Sequence, residues 1–412
     1  MKTREYHPAQ PKRRRDSVKL QGDVARRVGD GHPWVFGDAL RGRVLGAESQ
    51  GSAVDLVDPQ GRFIARALSD PQGSPVLRVF SSTVGQAFDL DHLLACVRRC
   101  QDLRRRLLGI QLTNCHRLVN GDSEGIPAVT VDRYGDFLVL CHYSQLAETF
   151  QPLLLEALVQ VVAPRGIYLQ RRHAPPAPGQ VRPGAELVYG TAAPPEVSVT
   201  EGRCRYVVDV TAPASPGLFL DMRRGREAVA RLAGARRVLN CFSYTGAFSA
   251  VAAAHGAASV VSVDSAGRAH GRARRNFEEN GIDLSDHAYE FVTGDAFATL
   301  ARLLEHQRRF DLVILDPPTF SSARGRTFTA FKDYAELAGA ALGVMDSGGI
   351  LVACCNAAKM PAADLDRALG RGAQMASRRL VVAERLGLPP DFPVLPAFVE
   401  GDYLKILVAQ VA

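Results

Sequence analysis

The chain is 412 residues long, more than the roughly 100 to 200 residues of one ordinary domain, so two or three domains are expected. At 46% hydrophobic and 23% charged residues, with no run near the ~18 apolar residues that cross a bilayer, the pattern excludes a helical membrane protein. The net charge is +7, and residues 1–110, with 19 basic and 12 acidic side chains, hold the whole excess. A basic end on a neutral body suits a polyanion such as nucleic acid, and charge alone fits a solubilising tail equally well.

The start of the chain is charged and lacks the apolar stretch of a secretory signal, so a cytoplasmic location is expected. Eight cysteines are scattered without a CxxC pair, and a chain of this length has core enough to fold unstapled; neither disulfides nor a metal site are expected. Residues 1–17 contain Pro8 and Pro11 and carry the run Lys12, Arg13, Arg14 and Arg15, the composition of a disordered basic arm that could touch RNA phosphates. In residues 18–84 the short alternating segments RGRVL, SAVDLVD, RFIARALS and PVLRVFSS predict a small β domain.

A central α+β unit is expected over residues 85–209. It starts with an amphipathic helix at residues 89–109 and continues with strands in PAVTVDRYGDFLVLCHYS, a helix in ETFQPLLLEALVQVVA and a proline-rich stretch. From residue 210 to the end, seven apolar segments alternate with helical ones: RVLNCF, SVVSVD, YEFVTGD, FDLVILD, GGILVACC, RRLVVAERLG and LKILVAQVA. That rhythm predicts an α/β, doubly wound seven-stranded Rossmann-like domain.

In such a sheet a ligand sits at the carboxyl ends of the strands. The first strand leads into Phe242, Tyr244 and Gly246, a turn with one glycine and no phosphate-cradling fingerprint. Asp264 ends the second strand, where a carboxylate can accept from a ribose diol, and Asp295 with Ala296 follows the third, where a carboxylate can receive an exocyclic amine. Acidic residues in this order, without a pyrophosphate site, fit a nucleoside such as S-adenosyl-L-methionine. The fourth strand ends in Asp316, Pro317, Pro318, Thr319 and Phe320. The two prolines remove N–H donors and leave carbonyls, Asp316 presents a carboxylate, and Phe320 offers a stacking face, which together suit a planar hydrogen-bonding base.

FDLVILDPPTF, VLNCFSYTGAFS and SVVSVD resemble the class I S-adenosylmethionine-dependent ribosomal RNA methyltransferases of the RlmI type, and the resemblance runs through nearly the whole chain. HPWVF and DLVDPQGRFIARAL are similar to that family's PUA domain, RLVNGDSEGIPAVTVDRYGDFLVL to its central domain, and GLFLDMR to the segment before its catalytic domain. The resemblance implies a PUA-like RNA-binding domain, a catalytic sheet ending in a reversed strand, ribosomal RNA as partner and methylation of cytosine C5 in large-subunit RNA. It implies cofactor contacts from Asp221, Arg223, Phe242, Tyr244, Gly246, Asp264, Asp295, Ala296 and Asp316.

One departure bears on the chemistry. Methylation at cytosine C5 needs a thiolate to add to C6, and the family's cysteine position is Asn356 here, preceded by Cys354 and Cys355. Strand alternation gives Cys354 the right face at the wrong depth; Cys355 would serve if the chain turned at Asn356. DPPTFS, GLFLD and Asn356 also resemble guanine-modifying ribosomal RNA methyltransferases, in which a ring nitrogen attacks directly and Asp316, Pro317 and Asn356 would orient the base. Both readings stay open on the sequence, as do a nucleotide-dependent oxidoreductase, a catalytically silent RNA-binding protein and the oligomeric state, a homodimer included.

Overall fold

The structure is a computed structural model that describes residues 17–40, 45–109, 112–173, 182–213, 215–323 and 326–412. Arg13, Arg14 and Arg15, with the rest of the basic arm and most of RGRVL, lie outside the described residues. The N-terminal unit is a five-stranded sheet in the order Ser17–Lys19, Ala53–Val57, Phe63–Ser69, Leu77–Ser81, Trp34–Val35. The inward residues Val54, Leu56, Ala65, Ala67 and Leu77 form its core with Val28 of the helix Gly22–Gly29.

The expected amphipathic helix spans Leu90–Leu107, and Asp89 caps it by accepting from the His92 amide at 3.0 Å. Its buried stripe of Leu93, Cys96, Val97 and Cys100 packs, with the helix Gln151–Val162, over a second five-stranded sheet. That sheet runs Glu186–Gly190, Gly166–Arg171, Phe137–His142, Val129–Tyr134, Cys115–Val119. A hairpin, Val197–Glu201 with Cys204–Val208, follows.

The third sheet holds all seven expected strands, here β1 (Arg237–Cys241), β2 (Ser259–Asp264), β3 (Tyr289–Thr293), β4 (Phe310–Leu315), β5 (Met345–Cys355), β6 (Leu380–Leu386) and β7 (Lys405–Val411). Their order is β3-β2-β1-β4-β5-β7-β6. β1 to β5 are mutually parallel, whereas β7 is antiparallel to both β5 and β6. The chain order reverses between β1 and β4, so their carboxyl ends flank the crevice where a ligand is expected. Alternate residues of β5 enter opposite cores: Val352 and Cys354 pack on one side of the sheet, Leu351, Ala353 and Cys355 on the other. A short hairpin, Phe320–Ala323 with Arg326–Thr329, is inserted directly after β4.

Among the described residues no helix is long and apolar enough to cross a membrane, and no group of three or more His, Cys, Asp or Glu side chains could hold a metal ion.

Candidate active site

A cavity of about 440 Å³ opens at the carboxyl ends of β1 to β4. Its wall contains Asp221, Phe242, Tyr244, Asp264, Asp295, Ala296, Asp316, Pro317 and Asn356, so nine of the residues singled out from the sequence meet at one place.

The turn after β1 is tightly built. Phe242 and Tyr244 have φ of 62° and 48°, and Gly246 has φ of 70°. The left-handed region is costly for side-chain-bearing residues, so the two aromatics hold their place only because the surroundings fix them. The Tyr244 amide donates to Asp264 at 2.7 Å, Gly246 N–H donates to the Ser243 carbonyl at 2.7 Å, and Asn276 Nδ2 donates to the Thr245 carbonyl at 2.8 Å. A Cβ at Gly246 would stand 2.8 Å from the Ala273 Cβ, which gives the single glycine a packing reason besides its φ. Gly246 shapes the turn without lining the cavity.

Asp264 accepts from the Tyr244 and Ala266 amides, the latter at 2.8 Å. Two backbone donors leave each oxygen with a further lone pair, the capacity a ribose diol requires. Asp295 caps the helix Ala296–Glu305 through the Ala298 amide at 3.0 Å, so its capping role and its place in the cavity coexist. Asp316 and Asp221 bear on one another. Burial, then the Asp221 carboxylate, push the Asp316 pKa up to about 7, while the Arg226 cation pulls it down. Burial also raises Asp221, and the Tyr403 hydroxyl, donating at 2.8 Å, works against that rise.

Arg226 is a cavity residue that the sequence reading missed. Its Nε and Nη2 are bound by Glu201 at 2.6 and 2.7 Å, and Nη1 donates to the Phe219 carbonyl at 2.8 Å. With this cation already neutralised, Asp221, Asp264, Asp295 and Asp316 give the cavity an acidic character. Such a wall repels a pyrophosphate and suits a cationic nucleoside, which is the charge type of S-adenosyl-L-methionine. Nothing local marks Arg226, because its partner lies on a hairpin 25 positions earlier.

Other expected residues fall elsewhere. Arg223 is buried away from the cavity, with Nε on Glu201 at 3.0 Å, Nη1 on Asp391 at 2.6 Å and Nη2 on the Cys115 carbonyl at 2.7 Å. Phe320 is 64% exposed on the inserted hairpin and outside the cavity wall. Neither thiol reaches the cavity. Cys354 is 0% exposed and Cys355 2% exposed, because β5 runs straight through both, paired with Ile406 and Lys405 of β7. The chain leaves the strand only at Asn356 and turns at residues 358–359, too late to rotate Cys355, whose sulfur lies 3.6 Å from that of Met360. Burial raises the pKa of both thiols. Asn356 does line the cavity, and its Oδ1 accepts from the Thr319 hydroxyl at 2.7 Å.

Known proteins share this architecture. Residues 133–407 match the S-adenosylmethionine-dependent methyltransferase family and residues 18–82 a PUA-like domain. The ribosomal RNA large subunit methyltransferase I of Erwinia tasmaniensis is 33% identical over 92% of this chain and 95% of its own length. The protein of that name from Serratia proteamaculans is 32% identical over 92% and 95%. Among solved structures, SMU.776 complexed with SAH superposes with a TM-score of 0.87 at 25% identity, covering 96% of this chain and all of the other. The chain belongs to the S-adenosylmethionine-dependent methyltransferases, in the family of the ribosomal RNA large subunit methyltransferase I proteins.

Proposed function

We propose that this enzyme methylates a nitrogen of guanine in large-subunit ribosomal RNA, with S-adenosyl-L-methionine in the cavity at the ends of β1 to β4. The observation that carries the choice of base is the fate of Cys354-Cys355-Asn356: both thiols are buried in the hydrophobic cores, and the residue that reaches the cavity is an amide. A C5 reaction needs a thiolate within bonding distance of C6, whereas a nitrogen lone pair needs only to be held in line with the methyl group.

Bound S-adenosyl-L-methionine supplies an electrophilic methyl group on a sulfonium. Asp264 holds the ribose hydroxyls, Asp295 and the Ala296 backbone face the adenine edge, and the turn from Phe242 to Gly246 encloses the amino-acid end. Asp316 accepts N–H bonds from the guanine edge, and the Pro317 carbonyl adds a fixed acceptor. With its oxygen taken by Thr319, Asn356 presents Nδ2 as a donor to a base carbonyl. Where the attacking nitrogen carries a proton, Asp316 is tuned to take it, since its pKa of about 7 lies near the working pH. The PUA-like unit, residues 18–84, and the central unit, residues 85–209, grip RNA while residues 210–412 perform the transfer. A cytoplasmic location follows from the substrate.

The test is product mapping. Large-subunit RNA from a strain lacking the protein, incubated with the enzyme and methyl-labelled cofactor, should gain one methyl on guanine. The Cys354→Ala and Cys355→Ala variants should keep the activity, and RNA carrying 5-fluorocytosine should form no covalent adduct. A label on cytosine, with an adduct lost on replacing Cys355, would overturn the choice of base. Absence of any transfer would revive the silent RNA-binding reading.

A further inference from the structure

The segment Gly217–Asp221 is pinned at four of its five residues by parts of the chain far apart in sequence. The Gly217 carbonyl accepts from the Thr245 hydroxyl, the Leu218 carbonyl from the Tyr134 hydroxyl at 3.1 Å, and the Phe219 carbonyl from Arg226 at 2.8 Å. The Asp221 carboxylate is held by Tyr403. Arg226 is itself clamped by Glu201, buried with it. Leu218 and Leu220 on either side are 1% and 3% exposed, so they anchor the segment in the core, while Phe219 lines the cavity and remains 51% exposed. The other rings in the cavity wall, Phe242, Tyr244 and Phe248, are all less exposed.

A single exposed aromatic is ordinary on a protein surface. This one differs because its backbone has almost no freedom and its ring stands at a cavity whose polar groups read the edge of a planar ligand. Asp316, Asn356 and the Pro317 carbonyl supply hydrogen bonds in the plane of a base and offer little to its faces. A nucleotide taken out of an RNA stack gives up its neighbours on both faces, and an immobile aromatic ring replaces one of them at low entropic cost. The acidic groups after β2 and β3 lie toward the adenosine side, whereas the Phe219 ring stands 5.6 Å from that of Tyr244, in the turn that encloses the amino-acid end, and on the segment that carries Asp221, which puts it toward the methyl group rather than the adenine.

We propose that Phe219 is the stacking platform for the target base, a subsite for a flipped-out nucleobase of RNA. The inference rests on the ribosomal RNA base being the methyl acceptor and holds for guanine and cytosine alike. Phe219→Ala should lower kcat/KM for the RNA by about 10- to 100-fold. The affinity for S-adenosyl-L-methionine, read by calorimetry, should stay within about twofold, and the melting temperature should be unchanged because the ring is half in solvent. Phe219→Tyr should restore the rate to within a few-fold, since it keeps the face. Full RNA kinetics in Phe219→Ala, a loss confined to cofactor affinity, or failure of Phe219→Tyr to rescue would each overturn the platform. No methyl transfer by the unsubstituted enzyme would overturn the underlying reading and the platform with it, an outcome distinct from a silent Phe219→Ala.

Discussion

A carboxyl group whose pKa is about 7 reports on itself through pH. Asp316 begins near 3.8 in the unfolded chain and is raised by folding. Between these values the native state binds the extra proton, so the group's contribution to stability falls as pH rises from about 4 to about 7. Asp316→Asn removes that dependence. Without cofactor, the variant should melt at about the same temperature as the parent at pH 4 and above it at pH 8; parallel curves would mean that Asp316 is well hydrated. The same group links cofactor binding to protons, because a bound cation favours the carboxylate. S-adenosyl-L-methionine should therefore release protons near pH 7, measurable by calorimetry in buffers of different ionisation enthalpy, and Asp316→Asn should abolish part of that release. Asp264 offers a second test. Its replacement by alanine should weaken cofactor binding by about 1.5 to 3 kcal/mol. Because its oxygens also hold the Tyr244 and Ala266 amides, Asp264→Asn, which keeps one acceptor, should fall between the two; unchanged affinity in Asp264→Ala would remove it from the site.

Among the elements, the turn after β1 carries the clearest structural demand. Gly246→Ala introduces a left-handed alanine and a Cβ against Ala273, and should cost about 1 to 2 kcal/mol in urea unfolding from the backbone conformation alone. The seven strands of the sheet were legible as apolar runs alternating with helical segments, and β2, β3, β4 and β6 are closed by glycine, aspartate or proline as well. The residues after β1 to β4 were legible because the crevice of such a sheet lies at the strand ends. The reversal of β7 left no mark in the pattern: a strand buried on both faces reads alike in either direction. The thiols were readable only to the level of alternation. Whether β5 stops at Cys354 or runs through Cys355 depends on its pairing with Lys405, a contact 50 positions away. Arg223 and Arg226 share a helix, three positions apart, yet only Arg226 lines the cavity; Glu201 binds both guanidinium groups, and Asp391 takes Arg223 alone.

At the scale of the whole molecule, this buried network ties the seven-stranded unit to the second five-stranded sheet and its helix. Asp391, in the loop between β6 and β7, is fully buried; it binds Arg223 and accepts from the Arg117 amide at 2.9 Å, while its own carbonyl accepts from Arg104 of the helix Leu90–Leu107 at 2.8 Å. Removing one partner of a buried ion pair leaves the other uncompensated, so Asp391→Ala should destabilise the protein by about 3 to 5 kcal/mol. A loss below 1 kcal/mol by chemical denaturation would show that the network is dispensable.

Long-range charge must be read with such pairing in mind. The excess of +7 lies in residues 1–110, but Arg66, Arg78 and Arg104 are spent on Asp55, Asp70 with Asp122, and Glu124. An arginine neutralised inside the fold condenses no phosphate and releases no counterion on binding RNA. The charges left to do so include those of Lys12 to Arg15, the exposed Lys19 and Arg26, and the exposed Arg98, Arg99 and Arg106 of the helix Leu90–Leu107. Binding of large-subunit RNA should weaken steeply with salt. Replacing Arg13, Arg14 and Arg15 by glutamine should flatten the log-log slope by about 0.7 to 0.9 for each of these arginines that meets a phosphate. Arg78→Gln, by contrast, should leave the slope unchanged and lower the melting temperature, since it strands Asp70 and Asp122. If the slope ignored the arm but followed Arg78, or if RNA binding were independent of salt, the assignment of the basic end to phosphate contact would fail.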